Sequence, residues 1–384
     1  MRLVVLGPGH PFRGGIAATT TGLVQGLRTV GHEVRYLTPV RQYPRWLYPG
    51  GGDVDPEACP RLEGTIAVLS PLEPASWPAA AARAREFEAD AWIVPYWTWA
   101  WAPFWIWLLR RPGRPPTAAV VHNPADHGAG PLRRLAASAV LRRADALFTH
   151  GRSLAAGLEA RYPGTPVGHH LLPSPEARPL PDREEARAGL GLAAGERLAL
   201  FLGLVRRYKG VDVLLEAAAR LGEDSPWRIL VAGEAWEGLD RSLPALAGRL
   251  GVGARVRFRF GWVPEAALLR LLAAADLVVL PYRSGSQSAV APLAMAHGVP
   301  VLATDVGGLA EMVAGGGVVV PPGDPGALAA ALERLAQGNG LRDLAARARE
   351  AAAQRTWARY AGAIAGLLDR LPADRSSGRG RRGR

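Results

Sequence analysis

A chain of 384 residues with 48% hydrophobic content can fill two ordinary cores, and its one cysteine, Cys59, excludes both a disulfide framework and an all-protein thiolate metal site. Lysine and arginine outnumber aspartate and glutamate 46 to 34, a formal charge of +12. That balance suits phosphorylated substrates, anionic lipid or nucleic acid, and it equally fits a coding bias toward arginine in an alanine-rich chain.

Short apolar runs alternate with amphipathic alanine-rich stretches, the pattern of a doubly wound α/β fold with parallel sheets. The start, Met1-Arg2-Leu3-Val4-Val5-Leu6-Gly7, is strand-like and lacks the features of a signal peptide, so a cytoplasmic protein is expected. In the first half the pattern predicts strands over 3–6, 32–37, 92–94, 118–121 and 146–149, with helices between most of them. After the first strand comes Gly7-Pro8-Gly9-His10-Pro11-Phe12-Arg13-Gly14-Gly15. Phe12 stands where a dinucleotide fingerprint needs its third glycine, which argues against a nicotinamide dehydrogenase. The loop is either a plain tight turn or one that brings Gly14 and Gly15, at a helix start, against a phosphate or sugar.

The uncharged stretch 91–109 approaches the length of a membrane span, but Pro95 and Pro103 interrupt it. A buried strand followed by an apolar helix is one reading. The other is a tryptophan-rich surface that touches lipid headgroups, with Arg110, Arg111 and Arg114 beside it to attract anionic lipid. His122 follows the strand ending at Val121 and reads either as a hydrogen-bonded loop residue or as a catalytic one.

The prolines of 169–182 cannot join a central sheet, so the domain boundary is placed there. The expected division is 1–172 and 173–355, then a closing helix over 356–372 and a disordered basic tail over 373–384. Strands are predicted in the second half over 198–202, 229–232, 255–260, 277–280, 299–303 and 318–320. Arg206, Arg207 and Lys209 fall in the loop after the first of these, as solvated surface or as a diphosphate clamp. Residues 280–308 read as strand, small-residue loop, helix, strand and glycine turn. Gly285, Ser286, Gln287 and Ser288 let a ligand approach the backbone closely, and the amides of Ser288, Ala289 and Val290 then meet it with the positive end of the helix dipole. Phosphate or diphosphate is the expected guest. Near the end, Trp357, Tyr360, Ile364 and Leu367 repeat at helical spacing.

In combination these features resemble the retaining group 1 family of nucleotide-sugar glycosyltransferases. The resemblance covers nearly the whole chain. It rests on Arg13-Gly14-Gly15-Ile16, Gly31-His32-Glu33-Val34, Gly203 with Lys209-Gly210, Ala232-Gly233-Glu234, Gly261-Trp262-Val263-Pro264, Ala275-Asp276, Leu280-Pro281-Tyr282, and Ala294-Met295-Ala296-His297-Gly298-Val299-Pro300-Val301 with Gly307-Gly308. It implies the GT-B fold, two Rossmann-like domains facing across a cleft with the last helix crossing back to the first. It further implies a nucleotide-diphospho-sugar donor, a glycan or lipid-linked acceptor on the N-terminal side, and no metal or cofactor. His122 would lie beside the transferred sugar, the Gly14-Gly15 loop near the diphosphate, and Gly261, Trp262 and Val263 beside the nucleobase.

Most members of that family carry two glutamates around the Leu-Pro-Tyr strand and the helix after it. Here Gly285 and Leu293 occupy those positions, and Gln287-Ser288-Ala289-Val290 looks like the variant of a related subset. The arginine usual after the Gly203 equivalent is also replaced, by Leu204, so Arg206 is its expected substitute. The expected activity is sugar transfer in surface polysaccharide or glycolipid synthesis, peripheral to the inner face of the membrane, with Arg206, Lys209 and His122 as catalytic residues. Two rivals remain: an epimerase or glycoside phosphorylase on the same fold, and a basic binder of nucleic acid or membrane. No helix-turn-helix, zinc or RNA-sheet motif supports specific nucleic-acid readout.

Overall fold

The computed structural model describes residues 1–42, 54, 61–123 and 130–371; Cys59 and the basic tail lie outside the described residues. The chain divides into two compact units, one formed by Met1–Leu171 with Trp357–Arg384 and the other by Leu172–Thr356.

Among the described residues, the first unit holds β1 (Arg2–Leu6), β2 (Glu33–Pro39), β3 (Thr65–Leu69), β4 (Ala91–Tyr96), β5 (Thr117–Val121), β6 (Ala146–Thr149) and β7 (Val167–His169). They form one parallel sheet in the order β3-β2-β1-β4-β5-β6-β7. Because side chains alternate across a strand, β1 sends Val4 and Leu6 into one core and Leu3 and Val5 into the other. Every residue of β4 is buried, the continuous apolar run that a strand covered on both faces requires.

In the second unit β8 (Arg197–Leu202), β9 (Trp227–Gly233), β10 (Val256–Phe260), β11 (Leu277–Leu280), β12 (Val301–Thr304) and β13 (Gly317–Val320) make a second parallel sheet, ordered β10-β9-β8-β11-β12-β13. Its central register pairs Ala199 with both Ile229 and Leu277. In each sheet the strand order reverses beside the first strand, at β1/β4 and at β8/β11. Such a switch point leaves a crevice at the carboxyl ends of the strands, where open α/β sheets bind ligands. All strands expected from the sequence are present. The short edge strand β7 and the half-exposed β3 are additional, and neither offers the buried apolar run by which the others are recognised.

The closing helix, Trp357–Asp369, lies against the first helix, Gly15–Thr29. Gly22 and Gly26, one turn apart, make this possible. A side chain at Gly22 would run into the Trp357 ring and one at Gly26 into the Trp357 carbonyl, so the two glycines form the groove that seats it.

The stretch 91–109 is β4, a 3-10 turn over Trp99–Trp101 and a helix over Ala102–Leu109. Trp92, Trp97, Trp101 and Trp105 are buried, with Trp97 and Trp101 at 4.6 Å and Trp101 and Trp105 at 5.6 Å between ring centroids. Four of the tryptophans are therefore core. Arg114 is not free for lipid either, because it pairs with Asp145 and donates to the Leu109 and Arg143 carbonyls. No helix among the described residues is long and apolar enough to cross a membrane.

Candidate functional site

At the switch point of the second sheet, the loops after β8 and β11 meet. Arg283 N–H donates to the Tyr208 carbonyl at 2.8 Å, and Thr304 at the end of β12 donates its hydroxyl to the Tyr282 carbonyl at 2.6 Å. Gly308 N–H donates to the Ser286 carbonyl at 2.9 Å. Gly307 sits at φ 54°, and any side chain there would strike the Gly285 carbonyl, so the glycine turn after β12 is what lets the small-residue loop close down.

Lys209 ends a 3-10 turn, Arg207–Lys209, and its Nζ lies 5.4 Å from the centre of the Tyr282 ring. Among the described residues no carboxylate pairs with it. Burial pushes its ammonium below the ordinary lysine value. A desolvated cation without a counter-charge, at the mouth of an α/β sheet, is an anion-binding feature.

Arg206 is differently placed. Its guanidinium donates to Glu237 Oε1 from Nη2 at 2.9 Å and from Nε at 3.2 Å, while the Arg207 amide donates to Glu237 Oε2 at 3.0 Å. That amide first, and Arg206 after it, hold the Glu237 carboxyl below its ordinary value. Glu237 adopts a left-handed backbone at φ 65°, uncommon for a residue with a side chain, and so aims Arg206 from the loop after β9. Arg206 also lies over Trp236 at 5.2 Å.

Ser288 is buried; its Oγ lies 3.2 Å from the Tyr282 hydroxyl and accepts from Val290 N–H at 3.2 Å, the first residue of the helix Val290–Ala296. Ala289 is exposed at the helix start, and Gln287 is half-buried beside it. Leu293 packs partly against the core, so no carboxylate replaces the missing glutamates at that point. Gly261, Trp262 and Val263 follow β10; Gly261 N–H bonds the Gly233 carbonyl at 3.1 Å, and Trp262 is 40% exposed.

In the first unit, Gly14 precedes the helix Gly15–Thr29, which Gly15 opens, after β1. His122 follows β5 and is 2% exposed, its ring pushed down to a pKa of about 3 by burial and therefore neutral near pH 7. Its Nδ1 lies 3.1 Å from His150 Nε2, and His150 Nδ1 lies 3.2 Å from the Tyr360 hydroxyl. Sequence reasoning missed His150 and Glu237. A signal for the first existed, since His150 follows β6 as His122 follows β5, but only the β5/β6 pairing makes the rings neighbours.

Comparison with known proteins agrees with the fold. A family model described as Glycosyl transferases group 1 matches residues 196–338, and one described as Glycosyl transferase 4-like domain matches 14–175. A D-inositol 3-phosphate glycosyltransferase of Corynebacterium urealyticum is 34% identical over 297 residues, 71% of this chain and 69% of that protein. One from Gordonia bronchialis is 37% identical over 261 residues, 63% of this chain and 56% of that protein. Among solved structures, sucrose-phosphate synthase of Thermosynechococcus elongatus superposes with TM-score 0.77 at 23% identity, covering 97% of this chain and 99% of that one. HepE of Anabaena in complex with UDP superposes with TM-score 0.74 at 19% identity, covering 97% and 100%. These structures share the GT-B fold. With motifs, strand order and both family matches in agreement, the chain belongs to the group 1 glycosyl transferases and is an enzyme of the hexosyltransferase type.

Proposed function

We propose that the enzyme moves a hexose, with retention of configuration, from a nucleoside diphosphate held at the β8/β11 edge to a glycan or lipid-linked acceptor read by the first unit. The observation that carries this is Lys209, a desolvated cation without a carboxylate partner beside a loop of small residues. As the bond from sugar to diphosphate breaks, negative charge grows on the leaving phosphate. Fixed cations stabilise that charge more than the ground state, which lowers the barrier. Lys209 and Arg206 supply the cations, and the amides of Ser288 and Ala289 add donors; the expected third donor, the Val290 amide, is already given to Ser288 Oγ. The reading invokes no metal or cofactor. HepE was solved in complex with UDP, which makes UDP sugars the first donors to assay, and the names of the relatives add a phosphorylated polyol to the acceptors worth assaying. Thermal shifts with UDP, GDP and ADP sugars test the donor, since a ligand at a hundred times its Kd adds about 2.7 kcal/mol of stability. If none of the panel raises the melting temperature, the donor assignment is wrong. Product analysis with and without acceptor separates transfer from epimerisation or phosphorolysis.

Ala289 offers a sharper test of the helix start. Its φ of −73° fits the proline ring, so Ala289→Pro removes one amide donor without strain at that residue. Ser288→Pro would also break the Tyr282 and Val290 contacts, which makes it the poorer probe. Calorimetric titration of Ala289→Pro with a nucleoside diphosphate is expected to lose its binding heat; an unchanged Kd removes the helix start from the site.

A weak membrane contact through the first unit is proposed on a different surface from the buried tryptophans. Leu132 and Leu135 on the helix Pro131–Leu141 are 81% and 68% exposed, Trp99 is 42% exposed, and Arg133 lies 5.3 Å over the Trp99 ring. Apolar side chains flanked by arginine suit an anionic bilayer surface, at about 1 kcal/mol per nearby cation. Protein cut after Ala373 is expected to float with anionic liposomes at low salt and to detach at high salt, and Leu132→Glu with Leu135→Glu to stay behind. Failure of the truncated wild type to float at low salt ends this reading.

A further inference from the structure

We propose that a hollow on the second unit, lined by none of the residues of the β8/β11 edge, binds a small zwitterion with an apolar body, of about the size of a dipeptide. The hollow has a volume of about 490 Å³, within the range of small-molecule sites. It lies between the helix Arg183–Ala188, the edge strand β10 and the helix Glu265–Ala274. The sequence creates it by placing small residues where these elements face one another. Asp182, Glu185, Ala186 and Gly189 follow one face of the first helix, and Ala267, Arg270 and Leu271 one face of the second. Alanine and glycine thus stand where larger side chains would close the gap.

The walls of the hollow are fixed. Arg183 donates to the Ala273 and Ala275 carbonyls at 2.8 and 3.0 Å and to Asp276 Oδ1 at 2.6 Å. Arg187, one turn on, donates to the Ala274 carbonyl at 3.1 Å and to Asp276 Oδ2 at 3.0 Å. These bonds tie the short helix to the end of the longer one, whose last carbonyls carry partial negative charge that suits cations. On the other flank Arg257 of β10 donates to the Leu190 carbonyl. A ligand here meets a formed shape, so little ordering of the walls opposes binding.

The charged groups that line the hollow differ from those that hold it together. Around it Arg183 and Arg187 pair with Asp276, and Arg178 pairs with Glu265 at 2.7 Å. Inside it, among the described residues, Arg259, Arg270, Asp182 and Glu185 form no ion pair. Asp182 only caps its own helix, taking the Glu185 N–H on Oδ1 at 2.8 Å. Two guanidinium groups alone would select an anion, and two carboxylates alone a cation. Both kinds left unpaired around one space suit a molecule that carries both charges. Arg259 and Arg270 offer forked N–H donors to its carboxylate, while Glu185 and the second oxygen of Asp182 accept from its ammonium. Half-buried Ala186, Leu190 and Ala267 and buried Leu271 give its body an apolar floor. A sugar phosphate would satisfy the arginines but would set hydroxyls against that floor, where they find no partner.

The test is titration of the full chain, labelled at its alanine methyls, with leucyl-leucine and with the N-acetylated and C-amidated forms of the same dipeptide. At millimolar free dipeptide the methyl signals of Ala186 and Ala267, assigned with Ala186→Ser and Ala267→Ser, are expected to shift. Blocking either end removes one set of charge-assisted hydrogen bonds and should weaken binding on the order of tenfold. Arg259→Glu combined with Arg270→Glu should abolish it, and Glu185→Gln should narrow the preference for the free amine over the acetylated one. All three positions are exposed, so the variants keep the fold. No shift with leucyl-leucine overturns the proposal, as does equal affinity for free and blocked forms or binding that survives the double arginine variant. Shifts from glucose 6-phosphate in place of the dipeptide overturn it too, because the hollow would then be a site for anions alone.

Discussion

Replacing Lys209 with alanine is expected to lower transfer on the order of a hundredfold, because a fixed charge aimed at a developing phosphate charge is lost in the step where it matters most. The melting temperature should hold or rise slightly, since the ammonium is desolvated and has no carboxylate partner among the described residues. Arg206→Ala should also cut turnover strongly, yet its structural consequence differs. Glu237 then keeps only the Arg207 amide, and a half-exposed ion pair contributes at most about 1 kcal/mol to the fold. Glu237→Gln separates the two effects: Arg206 stays but loses its aim, so a partial loss of rate at full stability is expected. Initial rates measured beside melting curves decide each case. Near-normal turnover in both cation variants would place the diphosphate elsewhere.

Cutting the chain before Trp357 is expected to prevent the first unit from folding. Tyr360 and Ile364 are wholly buried, Leu367 and Leu368 are 2% and 5% exposed, and all four belong to the core built on β1, β5 and β6. At about 1.5–3 kcal/mol for each large apolar side chain removed from water, the loss is on the order of 6–12 kcal/mol, as much as a whole domain's stability. A cut after Ala373 leaves every one of these contacts in place and should be neutral. Thermal unfolding of the two truncated proteins is the measurement, and equal melting temperatures would contradict the packing described.

The sheets could be read from the chain because strands covered on both faces are apolar throughout; residues 277–280 and 146–149 carry that run to its last residue. β3 and β7 lie at sheet edges, where half-exposed positions interrupt the run. The cations and small residues around Lys209 and Ser288 are visible because strand-end loops of an α/β protein are where ligands bind. Glu237 is not visible in the same way. Its role depends on a left-handed backbone before Gly238, which no periodicity encodes. Tryptophan count alone does not separate core from surface, whereas placement does: Trp92 sits inside the sheet and Trp99 on the turn that follows.

The groove of Gly22 and Gly26 is filled by a residue made only after the whole of the intervening unit, Leu172–Thr356, has been translated. At about 5–20 residues per second, that interval lasts about 10–40 s. The later-made unit is contiguous in sequence and has all its elements as soon as it leaves the ribosome. The earlier-made unit must wait, with the faces of Leu23, Leu27 and Phe148 that meet the closing helix uncovered. Birth order and completion order are thus reversed, and the nascent first unit is the species on which holding chaperones would act.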